Sequence, residues 1–86
     1  MPQYTVRFKA SADKAMRKLP HQIQERIALA VKALREDPRP RGCKKLKGAD
    51  DLWRIRVGEY RVVYTIRDDE LLVLVVRVAH RKDVYD

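Results

Sequence analysis

Residues 52–85 read LWRIRVGEYRVVYTIRDDELLVLVVRVAHRKDVY, and this stretch decides the fold. It contains three runs of strand-forming residues, separated by the turn signals GE and DDE. In the first run apolar residues alternate with Arg54 and Arg56, and in the second they alternate with Arg61. Because successive side chains of a strand point to opposite faces, each run predicts a strand with one apolar face and one face that carries arginine.

The third run, Leu71–Ala79, is apolar on both faces until Arg77. This pattern predicts a central strand that is covered on both sides. The short turns between the runs favour antiparallel pairing of all three strands. The carboxyl-terminal half of the chain therefore predicts a small antiparallel sheet.

The amino-terminal half predicts one strand and two helices. Tyr4, Val6 and Phe8 alternate with polar residues, as in a strand, and Ala10–Leu19 is rich in helix formers, with Ser11 as a candidate N-cap. A second helix is predicted over Pro20–Glu36, because its apolar residues recur with a period of 3.6. These residues form one stripe that must pack on the apolar face of the sheet: Ile23, Ile27, Ala30, Val31 and Leu34.

Composition limits the class of protein. The 86 residues carry 20 Lys and Arg against 12 Asp and Glu, a formal net charge of +8, which favours a polyanionic partner such as nucleic acid. The single cysteine, Cys43, permits no internal disulfide, and the two histidines lack the spacing of metal ligands, so we expect no metal and no cofactor. No run reaches membrane-spanning length and no signal peptide is apparent, which favours the cytoplasm and no membrane partner.

Residues 37–51, DPRPRGCKKLKGADD, form a long basic connection between the helices and the sheet. Long loops within small domains are often functional. Lys44, Lys45 and Lys47 flank Leu46, which is placed to anchor the loop against the core. A solvated basic loop and a phosphate-contacting loop both fit this pattern.

The arginines of the three runs point to phosphate binding. No acidic residue lies within the runs, so no carboxylate partner is evident there, and a guanidinium fork binds phosphate bidentately while keeping its charge. Solvated surface or protection of an exposed strand edge would explain the same arginines. Among the residues near these arginines, only His80 is of a residue type whose ordinary pKa lies near neutrality. Tyr85 is suited to stack on a base or to donate a proton. His80 and Arg81 reach one site only if the strand ends near Ala79, and an ordinary structural role for His80 stays open.

The order of the motifs KKLKG, LWRIRVGEYRVVYTI and VRVAHRKDVY resembles the RelE branch of the RelE/ParE superfamily of type II toxin–antitoxin modules, over nearly the whole chain. The arginine before VVY and the HRKDVY ending are the most discriminating parts of this resemblance. The resemblance implies an α+β fold over residues 1–86, with two N-terminal helices on one face of a small antiparallel sheet in the order β-α-α-β-β-β. Periodicity predicts the same arrangement independently.

The resemblance further implies a metal-independent endoribonuclease that cleaves mRNA in the ribosomal A site by attack of the 2′-hydroxyl. It places Arg54 and Arg56 where relatives carry two basic residues near the scissile phosphate, Arg61 at the phosphate-binding arginine, and Arg81 and Tyr85 at the C-terminal arginine and tyrosine. Position 80 is histidine in some relatives and lysine in others. The expected catalytic residues are His80 (as general base), Arg61, Arg81 and Tyr85, and the expected substrate-binding residues are Arg54, Arg56, Lys44, Lys45 and Lys47.

The expected partners are mRNA, ribosomal RNA and a cognate RelB-like antitoxin whose acidic segment wraps the basic domain in a toxin–antitoxin hetero-oligomer. Two other functions fit the same fold and charge. One is a ParE-like inhibitor that binds DNA gyrase or another topoisomerase without nuclease chemistry, and the other is a non-catalytic RNA- or ribosome-binding module.

Overall fold

A computed structural model of the chain describes residues 3–46, 48, 51–80 and 82. These residues form two helices and five strands, with a short 3-10 turn before the last strand. None of the helices described is long and apolar enough to cross a membrane. In chain order the elements are β1 (Thr5–Phe8), α1 (Ala10–Arg17), α2 (His21–Ala33), β2 (Lys44–Lys45), β3 (Leu52–Val57), β4 (Tyr60–Arg67), the 3-10 turn (Asp68–Glu70) and β5 (Leu72–His80).

The five strands form one sheet in the order β1-β5-β4-β3-β2. The strands β3, β4 and β5 pair antiparallel, as the three runs predict. The sheet as a whole is mixed rather than purely antiparallel, because β1 pairs parallel with β5, with Thr5 opposite Leu72. The two helices lie between β1 and the other strands in sequence. The two-residue strand β2 adds a fifth member that the loop sequence does not reveal.

The helices begin and end at different residues from those predicted. Ser11 lies inside α1, which begins at Ala10 after Lys9. Pro20 immediately precedes α2, and its carbonyl oxygen accepts hydrogen bonds from the N–H groups of Ile23 and Gln24 at 2.9 and 3.0 Å. Proline suits this place because its fixed φ and missing N–H are tolerated at a helix start. The regular helix ends at Ala33 and turns continue the chain to residue 36.

The core lies between the helices and one face of the sheet. The predicted stripe of α2 is buried there, with Ile27, Val31 and Leu34 packed in the same cluster as Val62 and Tyr64. Burying each large apolar side chain contributes about 1.5–3 kcal/mol relative to leaving it exposed. The helices therefore cover this face of the sheet and not the opposite one.

The long connection is tied to the sheet by polar contacts. The buried Tyr64 hydroxyl donates a hydrogen bond to the carbonyl oxygen of Pro38 at 2.7 Å, and burial raises the pKa of that hydroxyl. The guanidinium of Arg39 lies over the Trp53 ring, 5.2 Å from its centroid. At the loop's far end the N–H of Leu46 donates to the carbonyl of Leu52 at 2.9 Å. The part of the loop described here is therefore anchored rather than freely solvated.

Candidate nucleic-acid interface

The strand register places Arg54, Arg56, Arg61 and Arg77 near one another on the face of the sheet that the helices leave uncovered. Arg56 pairs with Arg61, and Arg61 pairs with Ala79. Arg54 pairs with Val63, which in turn pairs with Arg77. Residues directly opposite each other in an antiparallel ladder point to the same face, so these arginines share one side. Lys44 pairs with Arg54 and joins them. The basic face consists of Lys44, Arg54, Arg56, Arg61 and Arg77.

Burial differs across the basic face. Arg54 is 6% exposed and Arg61 is half-buried, whereas Arg56 and Arg77 are exposed. Each guanidinium keeps its charge at any working pH and carries five N–H donors, so it serves contacts within the protein and a bidentate phosphate contact together. Four such groups on neighbouring strands attract an anion with several oxygens, such as a phosphodiester backbone.

A cavity of about 100 Å³ lies at the hairpin end of the basic face. It is lined by Arg56, Gly58, Tyr60 and Arg61. Its volume corresponds to about three water molecules at roughly 30 Å³ each. Two guanidinium groups at directly paired positions therefore flank a depression that suits a small anionic group.

The β3–β4 hairpin that carries this cavity has a two-residue loop. Gly58 adopts φ +59°, and positive φ at the first loop position is what a type II′ turn requires. A Cβ at Gly58 would lie 3.2 Å from a guanidinium nitrogen of Arg26 on α2. The backbone conformation is therefore the requirement that glycine meets here, since the Arg26 guanidinium lies at the end of a flexible side chain.

His80 does not lie beside these arginines, although the resemblance assigns it to the same catalytic site as Arg61. The strand β5 continues through His80, which pairs with Tyr60, and the two rings meet edge to face at 5.3 Å. Strand alternation therefore puts the His80 side chain opposite the basic face. There it borders a cavity of about 470 Å³ between α1 and the sheet, together with Lys14, Lys18 and Leu19. If β5 had ended at Ala79, strand alternation would not have fixed the face to which the His80 side chain points.

Two contacts fix the His80 imidazole. Its Nε2 lies 3.7 Å from a carboxylate oxygen of Glu59, and its Nδ1 accepts a hydrogen bond from the backbone N–H of Lys82 at 3.3 Å. An Nδ1 that accepts this bond carries no proton, so a hydrogen on the ring lies on Nε2, toward Glu59. The ring is oriented toward the chain end and the hairpin.

The remaining predicted site residues divide into three groups. Lys44 lies on the basic face. Lys45 pairs with Trp53 on the helix side, where its Nζ lies 6.0 Å from the centroid of the Trp53 ring. Lys47, Arg81 and Tyr85 lie outside the described residues, so their roles stay predictions.

Strand order adds a residue that sequence reasoning did not assign to this face. Arg7 of β1 pairs with Leu74, and Leu74 pairs with Thr65 on the uncovered side. The alternation of β1 contains the signal, but its face is defined only once β1 is known to lie beside β5. The contact between Glu59 and His80 was also not predicted, because no sequence spacing links a glutamate in a hairpin to the end of a later strand.

Comparison with known sequences identifies relatives over almost the full chain. The family model of the ParE toxin of the type II toxin–antitoxin system, parDE, matches residues 3–85. Toxin RelG of Mycobacterium tuberculosis is 34% identical over 83 residues, which cover 95% of this chain and 95% of that protein. The mRNA interferase toxin RelE of Escherichia coli K12 is 31% identical over 81 residues, which cover 92% of this chain and 84% of that protein.

Solved structures share the fold. The archaeal RelE–RelB complex from Pyrococcus horikoshii contains a chain that superposes with a TM-score of 0.82 at 28% identity, covering 95% of this chain and 99% of that chain. The RelBE2 toxin–antitoxin complex of Mycobacterium tuberculosis gives a TM-score of 0.82 at 34% identity, with coverage of 96% and 97%. The isolated Escherichia coli RelE toxin gives 0.79 at 30% identity, with coverage of 90% and 83%.

The fold, the uncovered basic face and these matches define a toxin of the type II toxin–antitoxin class. The chain belongs to the ParE toxin family. Within the RelE/ParE superfamily it is a RelE-type toxin, which confirms the resemblance carried by its strand motifs.

Proposed function

We propose that this chain is an endoribonuclease that cleaves mRNA in the ribosomal A site and holds the RNA backbone on its basic face. Relatives named mRNA interferase support the reaction class. The observation that carries the proposal is the direct pairing of Arg56 with Arg61 beside a cavity of about 100 Å³. The net charge of +8 favours the same polyanionic substrate.

In the proposed reaction the 2′-hydroxyl gives its proton to solvent water and attacks the adjacent phosphorus. The bond from phosphorus to the 5′-oxygen breaks and that oxygen takes up a proton, leaving a 2′,3′-cyclic phosphate and a 5′-hydroxyl. Arg61 stabilises the charge that develops on the phosphorane oxygens, and Arg54 and Arg56 hold the flanking backbone. Guanidinium groups supply this stabilisation without a metal ion. On the strength of the family resemblance, Arg81 adds a second charge and Tyr85 orients the base or protonates the leaving oxygen.

His80 does not enter this mechanism as the proton acceptor, because its ring lies on the helix side of the sheet. A general base must come within hydrogen-bonding reach of the proton that it removes. Charge stabilisation and positioning are the contributions that the described residues of the basic face offer.

The decisive experiment measures cleavage of a defined message on ribosomes with a known codon in the A site. Arg61→Ala should lower the cleavage rate by about 10², the usual cost of one transition-state charge contact. The matched control is Arg67→Ala, on the same face but at the other end of β4, where the exposed guanidinium lies 3.8 Å from Glu70 and outside the basic face as defined. Both substitutions remove one positive charge, so equal losses would attribute the effect to net charge and would reject the assignment of Arg61.

The proposed partner is a RelB-like antitoxin. The Pyrococcus horikoshii and Mycobacterium tuberculosis structures are complexes of this kind, and the basic charge of the present chain suits an acidic antitoxin segment. Titrating the toxin with a RelB-type antitoxin in low and high salt tests this. An affinity that falls as the salt concentration rises supports charge complementarity, and an affinity that does not change with salt opposes it.

A second candidate function follows from the matching family model, which is named for ParE toxins. A ParE-like protein would inhibit a topoisomerase by binding, with no RNA cleavage. A DNA gyrase supercoiling assay run beside the ribosome assay separates the two functions. Inhibition of supercoiling by a chain that leaves programmed ribosomes intact would favour the ParE-like alternative.

A further inference from the structure

The end of β5 carries a hydrogen bond from the main chain to a side chain two residues earlier. The backbone N–H of Lys82 donates to Nδ1 of His80 at 3.3 Å. Asparagine and aspartate form the same kind of bond to their own backbone two residues ahead, which turns the chain. An imidazole accepts in this way only through an unprotonated Nδ1.

The imidazole is held on its other sides as well. Its edge meets the Tyr60 ring at an interplanar angle of 83°, and its Nε2 lies 3.7 Å from Glu59. The side chains of Lys14 and Lys18 border the adjoining cavity. Because the hairpin and β5 orient the ring, Nδ1 is presented to the backbone beyond the last strand residue.

We propose that His80 is a positioning residue that ends β5 and sets the direction in which the chain leaves the sheet. The bond joins the residues that precede and follow Arg81 in the sequence. The inference rests on the proposed function, in which Arg81 and Tyr85 complete the site. It gives His80 a role that does not require its side chain to reach the RNA.

Substitutions that copy one nitrogen of the ring at a time test this proposal. His80→Asn keeps an acceptor oxygen in the place of Nδ1, whereas His80→Gln puts its amide near the place of Nε2 and loses the bond to Lys82. In the ribosome assay we expect His80→Asn to stay within about threefold of wild type. His80→Gln and His80→Ala should fall by about 10- to 10²-fold in kcat with little change in KM, because misplacing groups by about 1 Å costs this much.

The pattern of activities distinguishes positioning from other roles. Equal, severe losses in all three variants would overturn the proposal, because they would show that the imidazole itself is required, as for a general base. Full activity in all three would overturn it too, since the bond would then be irrelevant to cleavage. Thermal unfolding of each variant identifies any loss that reflects folding alone.

A measurement without RNA tests the bond independently of cleavage. In wild type, nitrogen NMR should show the Nε2–H tautomer of His80, and the Lys82 amide should exchange slowly with solvent. His80→Asn should keep that protection, and His80→Gln and His80→Ala should lose it. A wild type with the proton on Nδ1, or an unprotected Lys82 amide, would overturn the positioning role even if the chain cleaves RNA. Failure of cleavage with this pattern intact would instead reject the proposed function.

Discussion

Arg39 binds Asp68 through both carboxylate oxygens, with Nη1 3.2 Å from Oδ1 and Nη2 2.9 Å from Oδ2. The Tyr4 hydroxyl donates to the same Oδ1 at 2.7 Å. These contacts connect the residue before β1, the long loop and the turn after β4. The hydrogen bonds from Arg39, and then that from Tyr4, lower the pKa of Asp68 to about 2.

The lowered pKa of Asp68 predicts an acid-sensitive contribution to stability. The folded state favours the carboxylate, so the contribution is complete above the ordinary pKa of 3.8 and is lost as pH falls through about 2. We expect Asp68→Asn to be less stable than wild type near neutral pH, with the difference shrinking in acid. Urea unfolding at a series of pH values measures this.

The control for this prediction is Asp13→Asn, which removes an exposed carboxylate 3.1 Å from Arg17 within α1. Exposed pairs of this type contribute little. A difference between wild type and Asp68→Asn that stays constant from neutral to acid pH would contradict the role assigned to the carboxylate.

A buried hydrogen bond between Tyr64 and the long loop predicts a larger effect. Tyr64→Phe keeps the ring but leaves the carbonyl of the buried Pro38 without its donor. Leaving a buried polar group unsatisfied costs about 1–3 kcal/mol. The free energy of unfolding in urea should drop by that amount, whereas Tyr4→Phe, whose hydroxyl contact is exposed, should cost less. Equal losses in the two variants would show that burial of the Tyr64 hydroxyl is unimportant.

The apolar stripe of α2 makes a prediction about the core. Ile27 is fully buried, and Ile27→Ala should lower the free energy of unfolding by about 2–5 kcal/mol. Leu29, two residues along the same helix, is 70% exposed, so Leu29→Ala should change it by no more than about 0.5 kcal/mol. Similar values for both variants would place the α2 interface elsewhere on the helix.

The 3.6-residue period of apolar residues in α2 and the alternation of apolar and basic residues in β3 were enough to predict the layers of this fold. Ile27, Val31 and Leu34 repeat with helical spacing and are buried, and Trp53, Ile55 and Val57 alternate with two arginines that share the other face. Both patterns depend only on local backbone geometry, which the sequence carries directly.

Irregularities in the strands were harder to predict. The pairing of β4 with β5 shifts between Val63 and Tyr64, so that Val63 faces Arg77 while Tyr64 faces Val75. The extra residue, Val76, changes which side chains of β5 point inward, and it accounts for part of the apolar run that suggested a strand covered on both sides. A run of valines gives no signal for where a bulge falls.

The face to which the His80 side chain points depends on whether β5 ends at Ala79 or one residue later, at His80. With β5 ending at Ala79 the imidazole is released from strand alternation, and with β5 ending at His80 it lies on the helix side. Element ends are set by tertiary contacts such as the Tyr60 pairing and the bond from Lys82, and neither is visible in local sequence. A site at a strand end is therefore the part of this molecule that sequence reasoning resolves least well.

The exposed guanidinium of Arg56 predicts how binding responds to salt. If Arg56 contacts a backbone phosphate, Arg56→Ala should weaken the affinity for single-stranded RNA similarly across sequences. It should also reduce the slope of log affinity against log salt by about 0.7, the value for one phosphate contact. Fluorescence titrations with oligonucleotides of different sequence at several salt concentrations measure both quantities.

Arg17→Ala on α1 is the matched control for Arg56→Ala, because Arg17 is exposed, lies in the helical layer away from the basic face and carries the same charge. It should leave the salt slope close to that of wild type. If Arg17→Ala and Arg56→Ala reduce the slope equally, the RNA responds to the total charge of the protein and the paired arginines of β3 and β4 have no special part in binding. A loss for Arg56→Ala that varies with RNA sequence would instead indicate contact with bases, because phosphate contacts carry no sequence information.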